Sequence, residues 1–353
     1  MGDWKKNLRV VEPYVPGEQP KQENMIKLNT NENPYPPAPG VEKVLKSMGT
    51  GDFRLYPKPD ARELVDALSR EYQVPAEQIF VGVGSDDVLG MAFLTCFNSE
   101  KPILFPDVTY SFYLVWADLF KIPYNRPALD ENFCIKKEDY FVENGGIVIA
   151  NPNAPTSIAM PLSDIEEIVK KNPDSVVIID EAYVDFGGES ALRLVKKYDN
   201  LLVVQTFSKS RSMAGMRIGF AIGSRALIDA MYAVRNSYNS YTMNMPSILC
   251  GVEAVEDYDY FEATRCAIIG TRDEVKEKME ALGFTVLPSS ANFLFATHSS
   301  VPAEELFLML REKHIYVRYF KQPRIQNYLR ITIGTREQMD VFLAEVEKYL
   351  ATR

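Results

Sequence analysis

Histidine and cysteine are scarce in this 353-residue chain, and their scarcity removes several chemistries at the outset. The two histidines, His298 and His314, and the four cysteines, Cys96, Cys134, Cys250 and Cys266, make no CxxC pair and no zinc-ligand spacing. No metal is expected, and the cysteines read as reduced and buried, in a reducing compartment. Positive charge is short as well. A formal net charge of -9 argues against a general nucleic-acid or anionic-membrane binder, although a local arginine pocket remains open. No apolar run approaches the length of a membrane span. The opening MGDWKKNLRV has no signal-like apolar region, and Lys6 stands where a myristoylation pattern wants Ser or Thr. These absences lead to the expectation of a cytoplasmic protein that binds neither nucleic acid nor membrane.

What is present is the composition of an ordinary globular enzyme, 46% hydrophobic and 25% charged, long enough to bury a core without staples. Pro, Asn and Gly crowd the first forty residues (PYVPGEQP, NTNENPYPPAPG), which read as an extended arm with turns. From about Asp60 helical stretches such as ARELVDALSREY and SDDVLGMAFLTCF alternate with short apolar runs such as QIFVGVG, GGIVIAN, SVVIIDE, LLVVQTFSK and RIGFAIGS. That rhythm predicts a mostly parallel sheet covered by helices on both faces. After about residue 245 a long charged helix, FEATRCAIIGTRDEVKEKMEAL, precedes the strands NFLFA, IYVRYF and YLRITIG and a last helix, REQMDVFLAEVEKYL. The expected fold class is α/β, with a large domain over residues 41–245 and a smaller α+β domain from 1–40 and 246–353.

Three of the apolar runs end in a polar residue suited to one cofactor: GIVIA at Asn151, SVVIID at Asp180, and LLVVQTFS at Lys209. Ligands of open α/β sheets bind beyond the carboxyl ends of the strands, so the three can meet in one crevice. Singly, each reads more readily as a loop residue capping a helix. Pyridoxal 5′-phosphate needs a lysine amine for its imine and an acid against its pyridine nitrogen. Asp180 suits the second role, since opposite charges at close range each favour the charged form. Tyr183 and Asn151 could both donate to the cofactor's ring oxygen, and Lys209 could move the substrate proton. For the phosphate, Ser208 and Arg217 flank the lysine, and Gly84, Ser85 and Asp86 open a helix whose N-terminus is an anion site. GVGSDD lacks the third small residue of a dinucleotide fingerprint, and no GK[ST] follows it. Tyr110 could stack on the cofactor ring or simply be a core aromatic.

On these segments, together with KLNTNENPYPP, RLYPKPDARELVDAL, NPNAPTS, SSANFLFA and YLRITIGT, the chain resembles the fold-type I PLP-dependent aminotransferases, and among them the histidinol-phosphate aminotransferases. The resemblance runs nearly end to end. It implies Lys209 as the Schiff-base lysine, Asp180 as the pyridine partner, Asn151 and Tyr183 as ring-oxygen ligands, and Ser208 and Arg217 as phosphate ligands, with Tyr110 stacked. It also implies that Tyr56 reaches the cofactor phosphate of a neighbouring subunit, hence a homodimer. Arg330 and Arg318 match arginines that hold small anionic substrates, and Tyr14 a substrate-side tyrosine. The expected reaction is transamination between histidinol phosphate and 2-oxoglutarate.

Two departures stand out. Ala154 and Ser157 occupy positions where the family usually has Asn and Gly, and Arg211 and Ser212 positions where an aromatic and Gly are common. Arg211 could reach the cofactor entrance or face solvent. Rival activities on the same fold are decarboxylation of threonine phosphate and transamination of aromatic amino acids. A non-enzymatic effector-sensing domain would want a DNA-binding module and a basic surface, and neither is apparent.

Overall fold

The computed structural model describes residues 3–22 and 24–352. Met1 and Gly2, part of the segment weighed above for lipidation, lie outside them. Seven strands form the main sheet, in the spatial order Ile79–Gly82, Gly219–Gly223, Leu201–Thr206, Val177–Asp180, Gly146–Ala150, Ile103–Leu104 and Tyr124–Asn125. Gly219–Gly223 runs antiparallel to both its neighbours, and every other pairing is parallel. The exception has a simple cause. Between Thr206 and Gly219 there is only a loop with one short 3-10 turn, Ala214–Met216, so the chain doubles back without the crossover a parallel strand needs.

Every residue of Gly146–Ala150, Val177–Asp180 and Leu201–Thr206 is buried, which is why these segments read as unbroken apolar runs rather than alternating ones. Alternate residues serve opposite faces. Ile147, Ile149, Val177, Ile179, Leu201 and Val203 pack with the helices Arg62–Tyr72, Leu162–Lys171 and Met245–Glu256. Val148, Ile178, Leu202 and Val204 pack with Ser85–Cys96, Phe112–Phe120 and Arg225–Tyr238.

A second sheet is wholly antiparallel, ordered Arg318–Tyr319, Leu329–Thr332, Phe293–His298 and Phe284–Val286. Its apolar face packs on the helices Tyr258–Ala281, Ala303–Glu312 and Arg336–Leu350. The N-terminal segment joins this side: Ile26–Lys27 pairs in parallel with Ile315–Tyr316. The helix Tyr258–Ala281 starts before the Phe261 expected from its charged stretch, because Asp257 accepts the Tyr260 N–H as an N-cap. Among the described residues no helix is long and apolar enough to cross a membrane, and no group of three or more His, Cys, Asp or Glu could hold a metal. Cys250 is buried as expected, but Cys266 is exposed and Cys96 and Cys134 are half-buried.

Candidate active site

Beyond the carboxyl ends of the central strands lies a cavity of about 420 Å³, walled on one side by the seven-stranded sheet and on the other by Arg318, Phe320 and Arg330 of the small one. The doubling-back of the chain after Thr206 brings both Lys209 and Arg217 to this rim. Lys209 Nζ donates to Thr30 O at 3.2 Å and lies 5.7 Å from the centre of the Tyr183 ring. Asn33 holds the lysine's own backbone, donating from Nδ2 to Lys209 O at 2.9 Å and to Ser210 O at 3.1 Å.

Asp180 ends its strand inside the cavity wall. Burial pushes its carboxyl up to about 6, against the opposing pull of two donors, Tyr113 Oη at 2.7 Å from Oδ2 and the Ala182 N–H at 3.2 Å from Oδ1. Tyr113 was not singled out in the sequence, where it is one aromatic among several in TYSFYLVWADLF. Only the packing of the helix Phe112–Phe120 against the sheet turns it toward Asp180.

The opposite corner has the chemistry of a phosphate cradle. The helix Ser85–Cys96 begins at Gly84 with no side chain capping it, and Ser85 and Asp86 line the cavity. Gly84 sits at φ +84, and a Cβ there would meet Arg217 Nη2 at 2.5 Å. A Cβ on Gly219 would come within 2.4 Å of Ser85 N, so glycine lets strand and helix N-terminus close on one another. Arg217 Nη2 lies 3.2 Å from Asp86 Oδ2, and Ser208 sits 3.0 Å from the Thr206 hydroxyl. Tyr110 lines the same wall and donates from Oη to Asp86 Oδ1 at 2.8 Å.

Tyr14, Arg318 and Arg330 close the cavity from the other side. Tyr14 stacks on Phe112 with ring centres 4.3 Å apart, and burial raises its hydroxyl pKa. Arg330 donates from Nη2 to Asn29 O at 3.0 Å, and its guanidinium lies 5.4 Å from the Phe293 ring and 5.7 Å from Phe320. Its Nε is buried without a hydrogen-bond partner among the described residues, and burial lowers its pKa. Among the described residues neither Arg318 nor Arg330 has a carboxylate at ion-pair distance. A cation so placed calls for an anionic partner.

Two sequence expectations need correction. Asn151 is 1% exposed and does not line the cavity. Its carboxamide closes on one backbone unit, donating from Nδ2 to Met160 O at 3.2 Å while Oδ1 accepts the Met160 N–H at 2.7 Å. Both Met160 groups would otherwise be buried unpaired, and that need turns the side chain inward. From this turn it is Ala150, Pro152, Ala154 and Pro155 that face the cavity. Arg211, in turn, neither borders the cofactor entrance nor faces solvent. It is buried behind the Lys209 loop, donating to Ala254 O, 3.5 Å from Glu71 Oε1 and 4.4 Å above the Phe261 ring.

The other departures are conformational. Ser157 at φ +66 and Ser212 at φ +60 hold left-handed backbone where glycine would sit without strain, and neither lines the cavity. Tyr56 lies away from the cavity, 80% exposed and stacked on Tyr241 at 4.6 Å.

Residues 23–346 match the family model of class I and II aminotransferases. The chain is 47% identical to a histidinol-phosphate aminotransferase of Clostridium botulinum over 347 residues, 98% of each chain. It is 52% identical to histidinol-phosphate aminotransferase 1 of Hydrogenovibrio crunogenus over 335 residues, 95% of this chain and 94% of that one. Its fold is similar to the crystal structure of the histidinol-phosphate aminotransferase from Clostridium acetobutylicum, with a TM-score of 0.86 at 21% identity over 93% of this chain and 100% of that one.

Proposed function

The chain belongs to the class I and II aminotransferases, and from that premise we propose that its cavity binds pyridoxal 5′-phosphate and exchanges an amino group between histidinol phosphate and 2-oxoglutarate, giving imidazole-acetol phosphate and glutamate. The observation that carries the reading is the pairing, in one cavity, of Lys209 and Asp180 with two guanidiniums, Arg318 and Arg330, that have no carboxylate at ion-pair distance among the described residues.

The residues present fit the cofactor. The open helix N-terminus at Gly84–Asp86, with Ser208 and Arg217, would hold its phosphate. Asp180 would face its ring nitrogen, Tyr183 its ring oxygen, Tyr110 its face, and Lys209 would bond to it. When bound, the cofactor supplies an electron sink for the charge left as the substrate's α-proton departs. Asp180, with its carboxyl near 6, is mostly ionised at neutral pH, and its anion favours a protonated ring nitrogen. Lys209 Nζ takes the α-proton and returns it on the other side of the exchange. Arg318 and Arg330 bind and orient the substrate's anionic groups, a carboxylate in one half-reaction and a carboxylate-free phosphate ester in the other. Tyr14, stacked on Phe112, covers them.

A homodimer belongs to the same proposal. Tyr56 is exposed beside other exposed apolar residues, Phe53, Leu55 and Tyr241, and would reach the neighbouring subunit's cofactor phosphate. Small anionic substrates and a cytoplasmic setting complete it. The test is an assay of the pyridoxal-phosphate-loaded protein with histidinol phosphate and 2-oxoglutarate, followed by glutamate formation. Phenylalanine as donor should be markedly poorer. Release of carbon dioxide from threonine phosphate, with no glutamate formed from histidinol phosphate, would refute the assignment.

A further inference from the structure

The hydroxyl of Tyr183 is gripped from behind by a side chain outside the set that the motifs brought forward. Asn31 is 1% exposed, holds φ +54, and donates from Nδ2 to Tyr183 Oη at 2.9 Å. The direction of this bond follows from where the protons are. Thr332 Oγ1 accepts the backbone N–H of Asn31 at 3.0 Å, so its own proton goes to Asn31 Oδ1, also at 3.0 Å. The carboxamide is left with its NH₂ for Tyr183. Tyr183 Oη therefore accepts from Asn31 and keeps its proton for an acceptor inside the cavity. Asn292 Nδ2 further pins this residue through Asn31 O at 3.1 Å.

The turn on the neighbouring wall offers no second donor. Asn151 is spent on Met160, and the cavity-lining Ala150, Pro152, Ala154 and Pro155 have no side-chain donor. We propose that Asn31 is a positioning residue for the cofactor: it fixes the Tyr183 hydroxyl so that this phenol is the single side-chain donor to the cofactor's ring oxygen. The proposal rests on the pyridoxal phosphate reading above. Its anchor, Thr332, lies on the small sheet, so the hydroxyl of a residue in the loop after the large-sheet strand Val177–Asp180 is set from the small sheet.

A donor to the ring oxygen stabilises its anionic form and lowers the pH at which the bound cofactor's visible absorbance changes; deleting the donor raises it. Lys209, Arg330, Tyr14, Tyr110 and Tyr113 are the charged and titratable groups facing Tyr183, and all stay in place in the variants below. The test is a pH titration of that absorbance in full-length chains loaded with pyridoxal phosphate. Asn31→Ala should move the midpoint up by about half a pH unit, the scale of one hydrogen bond. Tyr183→Phe should move it further, and adding Asn31→Ala to Tyr183→Phe should then do nothing more. Ala154→Asn, which offers a second donor, should lower it. Should Asn31→Ala fail to fold, Thr332→Val, which removes the proton orienting the carboxamide, should give an upward shift in its place. An unmoved midpoint in Asn31→Ala or its substitute, or an equal shift on the Tyr183→Phe background, overturns the proposal. A wild-type chain that develops no visible band with pyridoxal phosphate overturns the cofactor reading itself, which is a different result.

Discussion

At the large-sheet end of the cavity the polar groups of Asp180 and Arg217 already have protein partners, whereas at the small-sheet end, among the described residues, several buried side-chain atoms have none. Asp180 is held by Tyr113 and Ala182, Arg217 by Asp86, and Asn151 by Met160. Across the cavity Arg330 Nε, Asn29 Oδ1 and Thr30 Oγ1 are buried without a hydrogen-bond partner among the described residues. Buried polar atoms left unpaired cost on the order of 1–3 kcal/mol each, so the two ends suit different tasks. The first is organised before anything binds and suits a resident cofactor. The second reserves its hydrogen bonds and its positive charge for molecules that come and go.

The largest effect should come from the residue between the two ends. Lys209→Ala removes the amine proposed as both covalent anchor and proton carrier, and glutamate formation should fall by at least about 10⁴-fold. Mass measurement after borohydride reduction should find the cofactor bonded to the wild-type chain and not to the variant. Next comes the small-sheet end. Arg330→Met should lower kcat/KM for histidinol phosphate by roughly 10²- to 10³-fold, as expected for losing one partner of a buried charge pair. Cofactor content, read from absorbance, should stay at the wild-type level; loss of cofactor in this variant would break the contrast between the ends.

The smallest effect is on stability. The Asp180 carboxyl is raised from 3.8 to about 6 by burial, so the folded chain binds the extra proton and stability declines as pH rises through that window. Above it the ionised, buried carboxylate is a standing cost. Asp180→Asn should therefore stabilise the cofactor-free protein by up to about 3 kcal/mol at pH 8, with the gain fading toward pH 4. Urea unfolding at the two pH values measures it, and a gain that grew with acidity would contradict the sign.

Much of this molecule was legible before folding. Fully buried strands such as Val177–Asp180 and Leu201–Thr206 read as apolar runs because both faces are covered. Lys209, Ser208 and Arg217 read as one site because a single loop carries them. Asn151 misled because a residue at a strand's end is at the right height, but its direction depends on which backbone groups nearby need partners, here those of Met160. Arg211 misled for the same reason, its charge being claimed by Ala254 O, Glu71 and the Phe261 ring, all distant in sequence. Tyr113 and Asn31 went unnoticed because their partners, Asp180 and Tyr183, lie 67 and 152 residues away.

By itself, then, the order of residues determined the alternation of strand and helix, the loop that carries both Lys209 and Arg217, and the acid at the end of a buried strand. These are local properties, set by periodicity and by spacing along the chain. Which side chains turn toward the cavity, which are spent holding the backbone, and which guanidiniums have no carboxylate beside them among the described residues were decided only by the tertiary structure. Hydrogen-bond and charge partners are chosen among neighbours in space, and in this chain most of those neighbours are far apart in sequence.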